Sequence, residues 1–155
     1  MAVVFAYLSH DKNIALAHAA TTRAEALREI VIRVSSGGAL RDAGKFLSEV
    51  LAREEVHTTF IGNGVAFPHA RTDLTEEIVL GIGRSRAGIP FGENGELAHL
   101  IFVIGVPKRM VTDYLVCVGA LARLTKDEKS RSALLSVGSA GELVEILRAG
   151  SLLLP

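Results

Sequence analysis

The sequence predicts an α/β fold in which a sheet is covered by helices on both faces. Three observations carry that expectation. The segments run in the order strand, two helices, three strands, three helices, so the helices fall into two groups around the strands. The run Leu100-Ile101-Phe102-Val103-Ile104 is apolar without alternation, as in a sheet centre buried on both sides. The helical segments each carry one apolar stripe, which needs a surface to bury against.

Each element has its own signal. Ile14-Ala15-Leu16-Ala17 reads as a short strand. Thr22-Arg23-Ala24-Glu25 has capping-box spacing and opens a helix carrying Leu27, Ile30, Val31 and Val34 on one face. Ser35-Ser36-Gly37-Gly38 ends it. Phe46, Leu47, Val50 and Leu51 mark a second helix that closes near Glu55. Thr58–Ile61, Ile78–Gly83 and Leu97–Val106 read as strands, with Asn94-Gly95 turning into the last of them and Pro107 stopping it. Tyr114, Leu115, Val118, Leu121 and Ala122 form a helical stripe from a cap near Thr112 or Asp113. Asp127–Leu135 gives a shorter helix. Ser139-Ala140-Gly141-Glu142 is a second capping box, ahead of Leu143, Ile146 and Leu147. There is no repeat, low-complexity tract or long linker, so residues 1–155 read as one domain.

Composition removes several classes of function. With 17 basic and 17 acidic residues the net charge is zero, without the basic excess of a nucleic-acid binder. The single cysteine, Cys117, forms no internal disulfide; in an apolar helical stretch it suits core packing in a reducing cytoplasm. No apolar run approaches the ~18–20 residues of a membrane span. Met1–Leu8 lacks a basic start and a cleavage site, so membrane association is expected only through a partner. His10, His18, His57 and His99 lack metal-ligand spacing, and neither metal nor cofactor is expected. His99 reads as a satisfied, partly buried histidine near a sheet end. Gly81-Ile82-Gly83-Arg84-Ser85-Arg86 misses the third glycine of a dinucleotide loop and the Gly-Lys-Ser/Thr ending of a P-loop. Gly83-Arg84-Ser85-Arg86-Ala87 misses the closing glycine of a nucleophile elbow.

The chemistry concentrates in Ile61-Gly62-Asn63-Gly64-Val65-Ala66-Phe67-Pro68-His69-Ala70-Arg71. An imidazole with an ordinary pKa of roughly 6.5 is largely the neutral nucleophile near pH 7. Gly62, Asn63 and Gly64 are expected to offer backbone N–H groups to an anion. Pro68 stiffens the entry to His69 by fixing its own φ and restricting Phe67. These parts suit a histidine that accepts and passes on a phosphoryl group. Asn63-Gly64 between apolar residues is also a hairpin signal in its own right, with Pro68-His69 closing a loop.

Gly62-Asn63-Gly64-Val65-Ala66-Phe67-Pro68-His69 resembles the active-site signature of the fructose/mannitol-type enzyme IIA domains of the bacterial sugar phosphotransferase system, a family that includes stand-alone nitrogen-regulatory members. The likeness continues through Arg53-Glu54, Thr58-Thr59, Phe91 and Asn94-Gly95-Glu96, and spans about Leu8 to Leu147. It implies a three-layer α/β/α sandwich with a mixed sheet of about five strands. It also implies a cytoplasmic phosphocarrier whose His69 takes phosphate from a small histidine-containing carrier protein and passes it to a IIB domain or signals it to a regulatory target. Arg53 matches an arginine that helps hold the phosphate. The family's second active-site histidine is replaced by Tyr114, within Asp113-Tyr114-Leu115. A phenol donates a hydrogen bond but does not share proton duty near pH 7. A regulatory binding module of the same fold, impaired in phosphotransfer, is therefore the alternative. A structural part of a transporter assembly is a third reading.

Overall fold

In chain order the elements are β1 (Ile14–Ala15), α1 (Arg23–Ser35), α2 (Ala43–Val56), β2 (Phe60–Gly62), β3 (Val65–Ala66), β4 (His69–Thr72), β5 (Val79–Pro90), β6 (Leu97–Pro107), α3 (Val111–Lys126), α4 (Glu128–Ser136) and α5 (Ala140–Leu153). The computed structural model describes residues 14–15, 20–36, 38 and 40–153, without the side chains at 14–15, 111, 113, 117, 140 and 148–153. The expectations for His10, His18, Leu16-Ala17 and the Cys117 side chain lie outside this description.

The sheet runs β1-β5-β6-β3-β2, with β4 also paired to β6. β5 and β6 are antiparallel, whereas β1 runs parallel to β5, and β3 and β4 run parallel to β6. The sheet is therefore mixed. β3 pairs Val65 with Leu100, and β4 takes up the same side of β6 again where His69 meets Ile104. Phe67-Pro68 interrupts the ladder because proline has no N–H to give, although the Pro68 carbonyl still accepts from the Ile104 N–H at 2.9 Å. Among the described residues, six strands thus fill five positions.

Strand alternation divides the apolar run between two cores. Leu100, Phe102, Ile104 and Val106 face α3, α4 and α5 with Leu121, Leu134, Leu143 and Leu147. Ile101 and Val103 face α1 and α2 with Leu27, Ile30, Phe46 and Val50, and Ala98 joins them beyond the register shift opposite Arg84 and Ile89. Each fully buried large side chain contributes about 1.5–3 kcal/mol. Both capping boxes form: Glu25 and Glu142 donate backbone N–H groups to Thr22 and Ser139 at 3.2 Å. Those hydroxyls donate in turn to the Glu25 and Glu142 carboxylates.

Three expectations need correction. β5 continues past Gly83 to Pro90 through a register shift between Arg84 and Ile89, where exposed Arg86 and Ala87 break the apolar pattern. α3 starts at Val111 from a Met110 cap with no side-chain bond, not from Thr112 or Asp113. Leu115 does not join the α3 stripe; it is 61% exposed. Among the described residues, no helix is long and apolar enough to cross a membrane.

Candidate functional site

His69 is the first residue of β4, a strand that its composition does not announce. Ala70 packs into the α1/α2 core, and Thr72 donates to the Glu49 carboxylate on α2 at 2.7 Å. Alternation therefore turns His69 and Arg71 to the opposite, α3 side of the sheet. His69 is half-buried there and Arg71 is exposed.

A chain of hydrogen bonds sets the imidazole. Its Nδ1 lies 2.9 Å from the Phe67 carbonyl oxygen. A carbonyl only accepts, so Nδ1 carries the proton and Nε2 keeps its lone pair. The Phe67 N–H donates to the Thr59 carbonyl at 3.2 Å. Thr59 is held by Glu54, whose carboxylate accepts the Thr59 N–H at 2.9 Å and its hydroxyl at 2.6 Å. Glu54 is only 2% exposed. The Phe67 ring is buried against Phe102 with centroids 5.4 Å apart, which anchors the carbonyl facing His69.

Burial, first, lowers the His69 pKa below its ordinary value of 6.5; the Arg53 charge pushes the same way, while the Phe67 hydrogen bond and the Glu54 charge partly oppose them. The neutral imidazole is the favoured form. Arg53, in the last turn of α2, donates from Nη1 to the His57 carbonyl at 2.9 Å, so its guanidinium is tethered where the chain leaves the helix. Tyr114, in the first turn of α3, packs its ring against His69 with centroids 5.0 Å apart and planes tilted by 39°. The α3 N-terminus beside it has no side-chain cap, so its first N–H groups present a positive dipole end.

The fold thus brings Tyr114 against His69, with the Arg53 charge near enough to act on the ring. It does not bring Gly62, Asn63 and Gly64 to the imidazole. Those residues all have positive φ and make the turn between β2 and β3, so the hairpin signal is the one the fold uses. Val65, just after the turn, lies opposite Leu100, whereas His69 lies opposite Ile104. Four residues of β6 separate the two levels, about 13 Å at strand rise. The turn instead borders Ala122, Thr125 and Lys126 near the far end of α3. Two positioning residues, Glu54 and Thr59, went unassigned in the sequence. Their signal was present: Glu54 extends the Phe46, Val50 stripe at spacing four, placing an acid on the buried face of α2. Among the described residues, no group of three His, Cys, Asp or Glu side chains is placed to hold a metal.

Residues 8–150 match the family model described as phosphoenolpyruvate-dependent sugar phosphotransferase system, EIIA 2. The PTS system fructose-specific EIIA component of Haloferax volcanii is 30% identical over 135 residues, covering 86% of this chain and 88% of that protein. The PTS system fructose-specific EIIABC component of Bacillus subtilis is 30% identical over 120 residues, 77% of this chain; the match spans about a fifth of that longer protein, 19%. Among solved structures, the nitrogen regulatory protein IIA-Ntr from Neisseria meningitidis superposes with a TM-score of 0.82 at 25% identity, covering 89% of this chain and 94% of that one.

Proposed function

The chain belongs to the phosphoenolpyruvate-dependent sugar phosphotransferase system EIIA 2 family, and from that premise we propose that His69 is the residue through which it carries phosphate. One observation carries the reading: the Nδ1–H bond to the Phe67 carbonyl leaves Nε2 as a neutral, oriented nucleophile. The donor is a phosphohistidine on a small histidine-containing carrier protein. The Nε2 lone pair forms a new N–P bond as the donor's N–P bond breaks, and the donor nitrogen takes back its electron pair. Each ring keeps its own proton.

Charge on the three equatorial oxygens calls for positive or donor groups around the ring. The Arg53 guanidinium and the first N–H groups of α3 supply positive potential, and the Tyr114 hydroxyl supplies a donor. The phosphoryl group then leaves by the same route to a IIB domain, or its presence on His69 is read by a regulatory protein. Tyr114 beside His69, where relatives of this type carry a second histidine, favours a second reading: a binding module whose transfer is slowed.

The test is incubation with phosphoenolpyruvate, enzyme I and the carrier protein. An acid-labile adduct that disappears in His69→Ala supports phosphotransfer. Equal labelling of the His69→Ala protein overturns it.

A further inference from the structure

A basic cavity lies farther along the two long strands from His69. Arg84, Ser85, Arg86, His99, Leu135 and Ser136 line an open space of about 460 Å³. Arg84 pairs with Leu100, while Leu80 pairs with Ile104, the residue opposite His69. Four residues of β6, about 13 Å, therefore separate this cavity from the imidazole level. We propose that it is a binding site for a small organic phosphate, distinct from the His69 centre.

The charge there is unbalanced. Arg84 is 5% exposed, yet no carboxylate lines the cavity among the described residues. Its Nη1 donates to the carbonyls of Leu134 at 3.2 Å and Val137 at 2.6 Å, fastening the C-terminal end of α4. Its Nε–H is buried with no hydrogen-bond partner among the described residues. Carbonyl dipoles offset part of a buried charge and leave it positive. Arg86 stands close enough to repel it, and burial together with that repulsion holds the Arg84 guanidinium below its ordinary range. An anion relieves both strains.

The remaining residues narrow the anion. A phosphate monoester carries about 1.5 to 2 negative charges at pH 7, which two guanidiniums neutralise; a monocarboxylate leaves one unmatched. The His99 ring is seated over two glycines, where a methyl at Gly88 would approach Cε1 to 3.0 Å and one at Gly64 would approach Cδ2 to 3.1 Å. Its Nδ1 donates to the Ser85 carbonyl at 2.9 Å, so Nε2 is an acceptor for a hydroxyl of the ligand. Ser136 is a further polar contact and Leu135 an apolar wall for carbon atoms. The volume exceeds that of a bare phosphate and falls within the ~300–1,000 Å³ of small-molecule sites.

Isotope-labelled full chain is titrated with glycerol phosphate, inorganic phosphate and acetate while amide resonances are followed. The expected result is saturable shifts at Arg86, Gly88, His99 and Ser136, with glycerol phosphate binding most tightly. Arg86→Gln should weaken it by about fivefold to tenfold, and His69→Ala should leave it unchanged. Arg86 carries the test because it is exposed, whereas replacing Arg84 also releases α4. Shifts centred on Arg53, His69 and Tyr114, an absence of saturation, equal affinity for inorganic phosphate, or an unaltered affinity in Arg86→Gln would each overturn the proposal.

Discussion

The Nδ1 of His69 hydrogen-bonds the carbonyl of Phe67 at 2.9 Å, two residues back across Pro68, so the same short segment that presents the ring also fixes its tautomer. Burial and the Arg53 charge lower the pKa of this ring, against the Phe67 bond and Glu54. An unfolded chain therefore takes up the proton at higher pH than the folded one does. The stability tied to this group is complete above the unfolded value of 6.5 and declines as pH falls from there through the folded value. Nuclear magnetic resonance titration of the ring should give a midpoint below 6.5, and the phosphorylated form should carry its phosphate on Nε2. A midpoint at or above 6.5, or an Nδ1 adduct, contradicts the geometry.

Glu54 positions His69 through Thr59 and Phe67 and also acts on its charge, so its removal is expected to affect both folding and transfer. Glu54→Ala leaves the Thr59 N–H and hydroxyl without their acceptor in a buried setting, at a cost of about 2–4 kcal/mol. Glu54→Gln keeps a carbonyl oxygen for the Thr59 N–H and turns an amide donor towards its hydroxyl, so it should recover most of that loss. Denaturant unfolding measures the first effect. The second is a phosphorylation rate that falls in the alanine variant and returns in the glutamine one. Wild-type stability and rate in Glu54→Ala would show that the hydrogen-bonded chain does not set the imidazole.

Tyr114 is near enough to His69 to serve either as packing or as a donor to the phosphoryl group. Tyr114→Phe keeps the ring and removes the hydroxyl. A hydrogen bond to a charged group contributes about 1.5–3 kcal/mol, so phosphorylation should slow by at least about tenfold. An unchanged rate assigns Tyr114 to packing alone. Tyr114→His restores an imidazole, and a large gain in labelling is the outcome expected of a site whose transfer has been slowed. Unchanged, robust labelling removes the impaired-transfer reading.

The two-sided burial of β6 was legible because Leu100–Ile104 leaves no polar position to face water, and both capping boxes were legible because their chemistry is local. His69 stood out as a candidate for a similar reason, behind a proline in a short, chemically distinctive segment. Contiguity misled at Gly62, Asn63 and Gly64. They precede His69 closely in sequence, but an extended chain carries each residue about 3.3 Å onward, so the turn and the ring belong to different levels of the sheet. β4 was illegible because His-Ala-Arg-Thr has no strand pattern; backbone pairing with β6 makes it a strand. Glu54 shows the opposite case: an acid in register with Phe46 and Val50 is a readable sign that something buried must satisfy it.

Gly81 tests how closely α1 seats on the sheet. It pairs with Val103 in the middle of β5, and a methyl added there collides with the γ2 methyl of Val34 and comes within 2.7 Å of that of Ile30. Both neighbours are β-branched and buried, so neither swings aside without leaving its rotamer or lifting the helix. Gly81→Ala should therefore cost about 1–3 kcal/mol, a drop in Tm of roughly 3–10 °C for a domain of this size. Adding Val34→Ala opens space for the new methyl, so the double variant should be more stable than the sum of its parts. Strict additivity, or an unaltered Tm in Gly81→Ala, would mean that α1 shifts freely over β5 and that the glycine is not needed for their contact.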